Sequence, residues 1–518
     1  MNQYKEVVFL SLLISTCFSS AQVPFKKVIS TYGPYNSIIN SQNQYILSAA
    51  NFALKLDDVA NVLSIHGVGP SSTHYIVGNL TITNDQKYIF SADEYLSGLQ
   101  HWGNLIYKTD TSGNLIWKKV YDTIPHSYEK NLYSASNGMI IASGYTLNSS
   151  NFPYHTAILK LDSSGNPIWR KYYNLEYQSY YFIGGQRNLT LESHTGDYVV
   201  GLSHSNNHSC GLLKMDTAGA IIWCKTYYNT GSALFTLLQN VDGSIMFLGS
   251  QIYNPLYAGT IFLTKVDSSG NFVWAKSYGD SLKGPFSLRA TPDNGYIICC
   301  SIKAANRTGT DLLLIKTDSV GNMQWSRTHG NDVTYENGGV DAFPTSDGGY
   351  FAVGTFDGPS PSYGCYIIKT DSLGFVGCQE FTDSIVVNNI FTTDSLIQVT
   401  DTLVPVQIFN SAIYDSIAPF PSVYNGCFLS GLDKNNSLVT KLNAYPNPTL
   451  GKLNIKTNEP SKGGKIIIVY DSMGRVVLQK KYNIETDMQL DLTRYDKGIY
   501  LIKVIDGDKV SECKVIVE

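Results

Sequence analysis

His194, His204 and His208 come closest in this 518-residue sequence to a cluster of metal ligands. A spacing of four, as between the last two, suits chelation on a helix. Here it falls between predicted strands with no carboxylate beside it, and no metal is assigned. A second source of ligands is a set of turns that open with aspartate, such as Asp318-Ser319-Val320-Gly321-Asn322. Calcium loops gather several oxygens from alternate positions. Each of these turns offers one carboxylate with Ser or Thr beside it. A hairpin capped by Asp, with Gly in a left-handed conformation, explains that pattern in full. The sequence contains no Gly-x-Ser-x-Gly elbow, no His-Glu-x-x-His and no Gly-x-x-x-x-Gly-Lys-Ser/Thr loop. No catalytic residue and no cofactor are assigned.

The aspartates belong to a repeat. Lys108-Thr-Asp110-Thr-Ser-Gly113-Asn114-Leu-Ile-Trp117 returns at Lys160…Trp169, Lys214…Trp223, Lys265…Trp274 and Lys316…Trp325. Two copies without Trp flank these, at Lys55-Leu-Asp57…Asn61 and Lys369-Thr-Asp371…Gly374. Successive lysines are 53, 52, 54, 51, 51 and 53 residues apart. The unit that ends near Trp325 parses into four strands: Phe286–Ala290, Tyr296–Ser301, Leu312–Thr317 and Met323–His329. Asp/Asn-Gly turns join the first two and the Asp318 turn joins the last two. Four antiparallel strands at a period of about 50 residues predict propeller blades, seven in all. Val28-Ile-Ser-Thr-Tyr32-Gly33 matches the end of a fourth strand (Trp274–Gly279) and is expected to complete the seventh blade, removing an exposed edge. The repeated Trp is expected to pack between neighbouring blades.

In a four-stranded blade the one–two and three–four turns share one face, and the long two–three and four–one loops share the other. Binding residues concentrate in variable loops on a rigid scaffold. The two–three loops, from Ser91–Trp102 to Phe356–Gly364, hold Trp102, Tyr154, His204, His208, Tyr257 and Arg307. Aromatics among Asn and Ser suit stacking on sugar rings or on a protein surface. Their bland alternative is packing on one another, since Tyr alone supplies 36 residues. An enzyme on this face would need a carboxylate pair or a carboxylate–histidine pair at the channel mouth. Glu129, Glu176 and Glu336 are the acids nearest that position.

Composition agrees with an all-β chain of several units. Lys+Arg number 38 and Asp+Glu 42, giving a net charge of −4, and charged residues are 15% of the chain against about 25% in ordinary soluble domains. Nothing in that balance favours nucleic acid as a partner. Hydrophobic residues at 43% exclude wholesale disorder.

The N-terminus reads as an export signal over residues 1–21: Lys5, an apolar run from Val7 to Phe18, then Ser19-Ser20-Ala21. No later stretch is apolar over the ~18–20 residues a spanning helix needs. Nine cysteines are present. Cys378 and Cys427 bracket the segment after the propeller and are expected to form a disulfide that clamps it. The propeller should occupy 22–380, with a linker or small β module over 381–441.

Two resemblances add to this reading. The Asp…Gly…Trp phrase is similar to the tryptophan-docking repeat of quinoprotein propellers, and Cys299-Cys300 to the vicinal disulfide of some of those enzymes. The Asp-to-Trp spacing here is one residue shorter, and no quinone or calcium ligand set accompanies it. From Leu442 the chain carries Tyr445-Pro446-Asn447-Pro448, then Asp471-Ser-Met-Gly474-Arg475, Gly498-Ile-Tyr500 and a closing Lys514-Val-Ile-Val517. Alternating apolar runs between Gly, Asn and Asp turns predict an immunoglobulin-like sandwich of about seven strands. This series over 442–518 resembles the type A C-terminal sorting domain of the type IX secretion system of Bacteroidota. The resemblance implies recognition by the outer-membrane translocon, cleavage by a sortase-like peptidase, and a mature protein that is secreted or held at the cell surface. The expected whole is a seven-bladed propeller followed by a sorting sandwich, serving as a binding or adhesion module for glycan or protein. The alternative is an extracellular glycan-acting hydrolase or lyase on the same scaffold.

Overall fold

The computed structural model describes residues 24–30, 34–49, 52–68, 79–96, 101–122, 127–147, 153–175, 180–181, 189–204, 209–250, 259–303, 310–330, 338–357 and 363–377 of the propeller. Beyond these it describes 380–381, 385–404, 406–409, 415–416, 423–425, 440–456, 465–471, 476–482, 487–506 and 509–518. No helix occurs among the described residues. They divide into two compact units, one spanning Pro24–Asn435 and one containing Asn436–Glu518.

The first unit is a seven-bladed β-propeller. Each repeat folds into four antiparallel strands, and the first strands of consecutive blades touch one another pairwise around a closed ring. The first blade, for example, is Pro34–Ile39, Tyr45–Ala49, Phe52–Leu56 and Val62–Val68. The fifth and sixth blades share one continuous strand, Phe272–Ala290, which is fourth strand to one and first strand to the next. Apolar side chains alternate to both faces of every blade, so the core is a ring of wedges between blades rather than one centre. The wedge between the seventh and first blades contains Phe343, Phe351, Ile29, Tyr45 and Leu47, with the Tyr45 and Phe351 rings stacked 3.5 Å apart.

The seventh blade is closed by Phe25–Ser30, which pairs with Tyr363–Thr370. Its register differs from the sequence expectation by three residues. Phe25 lies opposite Lys369 as Trp274 lies opposite Lys265, so Phe25 and Lys27 take the places of Trp274 and Lys276.

Residues 380–425 behave differently from the linker or small module expected there. They form a girdle. Seven short strands add in turn to the outer strand of the sixth, fifth, fourth, third, second, first and seventh blades, so every blade carries a fifth strand. Glu380 pairs with His329, Val387–Ile390 with Ala275–Tyr278, Asp394–Leu396 with Lys225–Tyr227, and Val399–Leu403 with Lys171–Leu175. Gln407–Phe409, Asp415–Ser416 and Val423–Asn425 complete the circuit. An outer strand presents a row of unpaired N–H and C=O groups, and the girdle satisfies part of each row. Its strands are two to five residues long and half-solvated, which leaves little hydrophobic period to read.

The second unit stacks two sheets. One has the order Thr440–Lys441, Lys509–Val517, Gly498–Asp506, Lys465–Tyr470, Val476–Tyr482, and the other Asn443–Tyr445, Lys452–Lys456, Asp487–Asp491. Leu453, Ile455, Ile467, Val469, Ile502 and Val515 are among the buried residues of its core.

Candidate functional site

The chemistry-bearing residues of the repeat are used by the scaffold. Asp318 Oδ1 accepts the amides of Val320 and Asn322 at 3.0 and 2.8 Å, and Oδ2 accepts Asn322 Nδ2 at 2.8 Å. The same closure recurs at Asp57, Asp110, Asp162 and Asp267. At Asp162, Asp267 and Asp318 burial pulls the carboxyl upward, but the hydrogen bonds outweigh it and hold each below the usual carboxylate range. Among the described residues no three His, Cys, Asp or Glu side chains converge as a metal site.

The repeated strand-three lysine has a role the sequence reading missed. It reaches the aspartate in the one–two turn of its own blade: Lys108–Asp85 at 3.2 Å, Lys265–Asp242 at 3.1 Å, Lys316–Asp293 at 2.7 Å and Lys369–Asp347 at 2.6 Å. A recurrent separation of 22 or 23 residues was the signal available. Lysines on the fourth strand bind the girdle: Lys171 to Asp401 at 2.7 Å, Lys225 to Asp394 at 3.3 Å and Lys276 to Asn389 at 2.9 Å.

Around the axis, each first strand presents a residue at one equivalent level. These are Asn36, Asn79, Asn131, Thr236, Ser287 and Asp341, all buried, with Leu189 in the fourth blade. They join blades: Asn36 Nδ2 donates to Asn79 Oδ1, Ser287 Oγ accepts the Ala342 amide at 3.3 Å, and Asp341 accepts Ser37 Oγ at 3.0 Å. Arg289 of the sixth blade bonds Asp341 Oδ2 through Nη2 at 2.8 Å and sits over the Phe343 ring at 4.5 Å. Asp341 therefore ties three blades together. Among the described residues, the side-chain amide of Asn131 and Nδ2 of Asn79 have no hydrogen-bond partner.

On the opposite, loop-rich face the ladders run further than expected. The second-blade hairpin stays paired to Leu96 and His101, which places Tyr95 directly opposite Trp102. Trp102, Tyr154 and His204 thus lie in strands, at His101–Thr109, Pro153–Leu161 and Tyr198–His204, and not in loops. Aromatic and β-branched residues at these positions favour continued pairing. His208, Tyr257, Arg307, Glu176 and Glu336 lie outside the described residues, as do Cys378, Cys427 and residues 1–21. Glu129 falls within the first strand of the third blade. Cys299 and Cys300 enter wedges on opposite sides of the sixth blade, and no vicinal disulfide joins them.

In the C-terminal unit, Asn447 docks the Tyr445–Pro448 segment on the last strand: Nδ2 donates to the Lys514 carbonyl at 2.6 Å and Oδ1 accepts the Ile516 amide at 2.9 Å. Tyr500 is buried and donates to the Asp496 carbonyl at 2.6 Å, and Asp471 follows the strand Lys465–Tyr470. Gly498 opens the strand that carries Tyr500, and Gly474 and Arg475 lie outside the described residues.

Residues 443–518 match the secretion system C-terminal sorting domain family. The tail marks the chain for export by the type IX route of Bacteroidota, to be secreted or attached at the cell surface. No curated protein matches the chain. Among solved structures it is similar to a protein of unknown function from Bacteroides caccae, at 10% identity and TM-score 0.35 over 60% of this chain and 95% of the other. It is also similar to the extracellular domain of a putative one-component system from B. thetaiotaomicron, at 9% identity and TM-score 0.34, covering 94% of this chain and 57% of that one. A third similarity is to the polysaccharide lyase Uly1, at 8% identity and TM-score 0.35 over 66% and 90%.

Proposed function

We propose that this exported propeller is a binding module whose loop-rich face engages glycan or protein outside the cell. The observation that supports it is the second-blade hairpin, whose ladder carries Tyr95 and Trp102 in register to the tip of that face. Positions fixed opposite one another by a paired ladder are pre-organised in the main chain, so binding there orders little backbone. The polar ring, the Lys–Asp ties and the girdle brace the platform beneath them. In this reading the sorting tail is handled by the type IX translocon and a sortase-like peptidase, which release or anchor the propeller.

The test is binding of the purified protein to a broad glycan array, beside a variant with Trp102, Tyr154 and Tyr257 changed to Ala. Selective binding lost in the variant supports a carbohydrate-binding face. A blank array for the wild type removes glycan as the ligand and leaves protein.

A further inference from the structure

Five junctions between blades are filled the same way. Trp117, Trp169, Trp223, Trp274 and Trp325 each lie against the glycine of the next blade's Asp turn, with ring atoms 2.7–3.1 Å from where a β-carbon would stand. The five covered glycines, Gly165, Gly219, Gly270, Gly321 and Gly374, are all buried. At the first-to-second junction the acceptor is intact. Gly113 has the same left-handed backbone, with φ of 88°. The donor is missing. In register with the strand-three lysine, where Lys108 faces Trp117, Lys55 faces Ser64. Gly113 is accordingly only half-buried, and a shallow pocket opens there, walled by Ala53, Tyr88 and Phe90 with Lys55 and Ser64 at its rim.

Like Lys160, which donates to the Thr217 carbonyl of the next blade's Asp turn at 2.7 Å, Lys55 has no aspartate in the one–two turn of its own blade, closed here by Asn40. The Lys55 ammonium meets the Thr111 carbonyl, which also lines the pocket, at 3.4 Å.

The geometry points to a binding site for a small aromatic acid, its ring taking the place of the absent indole on Gly113 and its carboxylate meeting Lys55. A planar ring against a glycine backbone is what five neighbouring junctions stabilise, and an ammonium at the rim favours an anionic substituent. The site lies on the short-turn face, away from the loops proposed to bind glycan or protein, so either reading can fail alone.

The probes are indole-3-acetate and 3-methylindole, followed by saturation-transfer NMR on the full chain. Indole-3-acetate should bind, and Ser64→Trp should abolish its signal while raising Tm by about 2–4 °C through filling the junction. Ser64→Leu, a milder filling, should weaken binding in the same direction if the Trp variant folds poorly. Lys55→Met should weaken indole-3-acetate about two- to fivefold and leave 3-methylindole unchanged. No signal for indole-3-acetate, or equal binding by both Ser64 variants and wild type, overturns the site. Equal loss of both probes in Lys55→Met overturns the preference for an acid.

Discussion

The indole of Trp274 lies so close to Gly321 of the following blade that a β-carbon there would stand 2.9 Å from its Cη2 atom. Gly321 also has φ of 77°, and its carbonyl accepts Tyr278 Oη at 2.6 Å. Gly321→Ala therefore meets a left-handed backbone and a blocked ring at once, and should destabilise the propeller by about 2–3 kcal/mol. Trp274→Ala should cost about 2 kcal/mol, below the range for a fully buried Trp because the ring is half-exposed. In the double variant the blocking ring is gone, so the two losses should fall short of their sum by about 1 kcal/mol. Chemical denaturation of the four proteins measures this, and strict additivity would refute the docking account.

How much of this was legible depends on how local each signal is. The blade period and the Asp turns could be read because turn chemistry resides in four or five adjacent residues. The closing strand could be read, but aligning Tyr32-Gly33 on Tyr278-Gly279 missed its register. The structure uses Phe25 and Lys27 instead, with Lys27 Nζ on the Val59 carbonyl at 2.5 Å and Ala60, φ of 58°, in place of the usual glycine. The girdle was illegible because its strands pair with partners 50 to nearly 400 residues away, and Ile397 is the one apolar side chain buried among its described residues. Trp102, Tyr154 and His204 fall in two–three loops when strand ends are read from the blade period, whereas pairing carries those strands further.

The Lys–Asp ties predict a particular acid response. Hydrogen bonds from Ser244 hold the Asp242 carboxyl at about 2. At Asp293 burial pulls upward, but hydrogen bonds from Lys316, Thr291 and the Gly295 amide together with the Lys316 charge outweigh it, again to about 2. An unfolded Asp titrates near 3.9, so each tie stabilises fully above about pH 5 and is lost as pH falls through 4 towards 2. Both carboxylates are about half exposed, which limits each contribution to about 0.5–1 kcal/mol. Asp293→Asn should be less stable than wild type at pH 6 and nearly equal to it at pH 2.5. A stability gap that stays constant across that range would show that the charge is irrelevant.

Lys369 and Asp347 form the most buried of these pairs. Burial holds the Lys369 ammonium below its ordinary value even with Asp347 at 2.6 Å, so the intact pair contributes less than its geometry suggests. Removing one partner is another matter. Asp347→Ala leaves a buried ammonium without its carboxylate partner, with Thr345 Oγ1 as its remaining close acceptor, and should cost about 3 kcal/mol, whereas Lys369→Met with Asp347→Ala should recover most of that loss. Urea denaturation at pH 7 decides, and a double variant as unstable as Asp347→Ala would sink the argument.

The girdle predicts a pattern of backbone protection. Three of its described side-chain anchors are Asp401 on Lys171, Asp394 on Lys225 and Asn389 on Lys276. With all three changed to Ala, amides of the outer strands at Lys171–Leu175, Lys225–Tyr227 and Ala275–Tyr278 should exchange with solvent at least about tenfold faster, while second and third strands keep their protection. Hydrogen exchange with peptide resolution reads both at once. Because the released edges can template pairing with other chains, the same variant should also self-associate on concentration. Unchanged exchange in the outer strands would mean that these three contacts do not hold the girdle.

Asn447 offers a test that separates the sorting tail's shape from its sequence. Its side chain both donates to Lys514 and accepts from Ile516, so it serves as a short rung against the last strand and fixes the Tyr445–Pro448 turn there. Asn447→Ala removes both bonds and exposes the Lys514 carbonyl and Ile516 amide, at a cost of about 1–2 kcal/mol to a small unit. Asn447→Asp keeps an acceptor for the Ile516 amide and loses only the donor, so it should cost about half as much. If the translocon reads the folded tail, secretion should fall in the order wild type, Asn447→Asp, Asn447→Ala, in step with the thermal stability of the C-terminal unit. Secretion that fails equally for both variants while their stabilities differ would show that the asparagine itself is read.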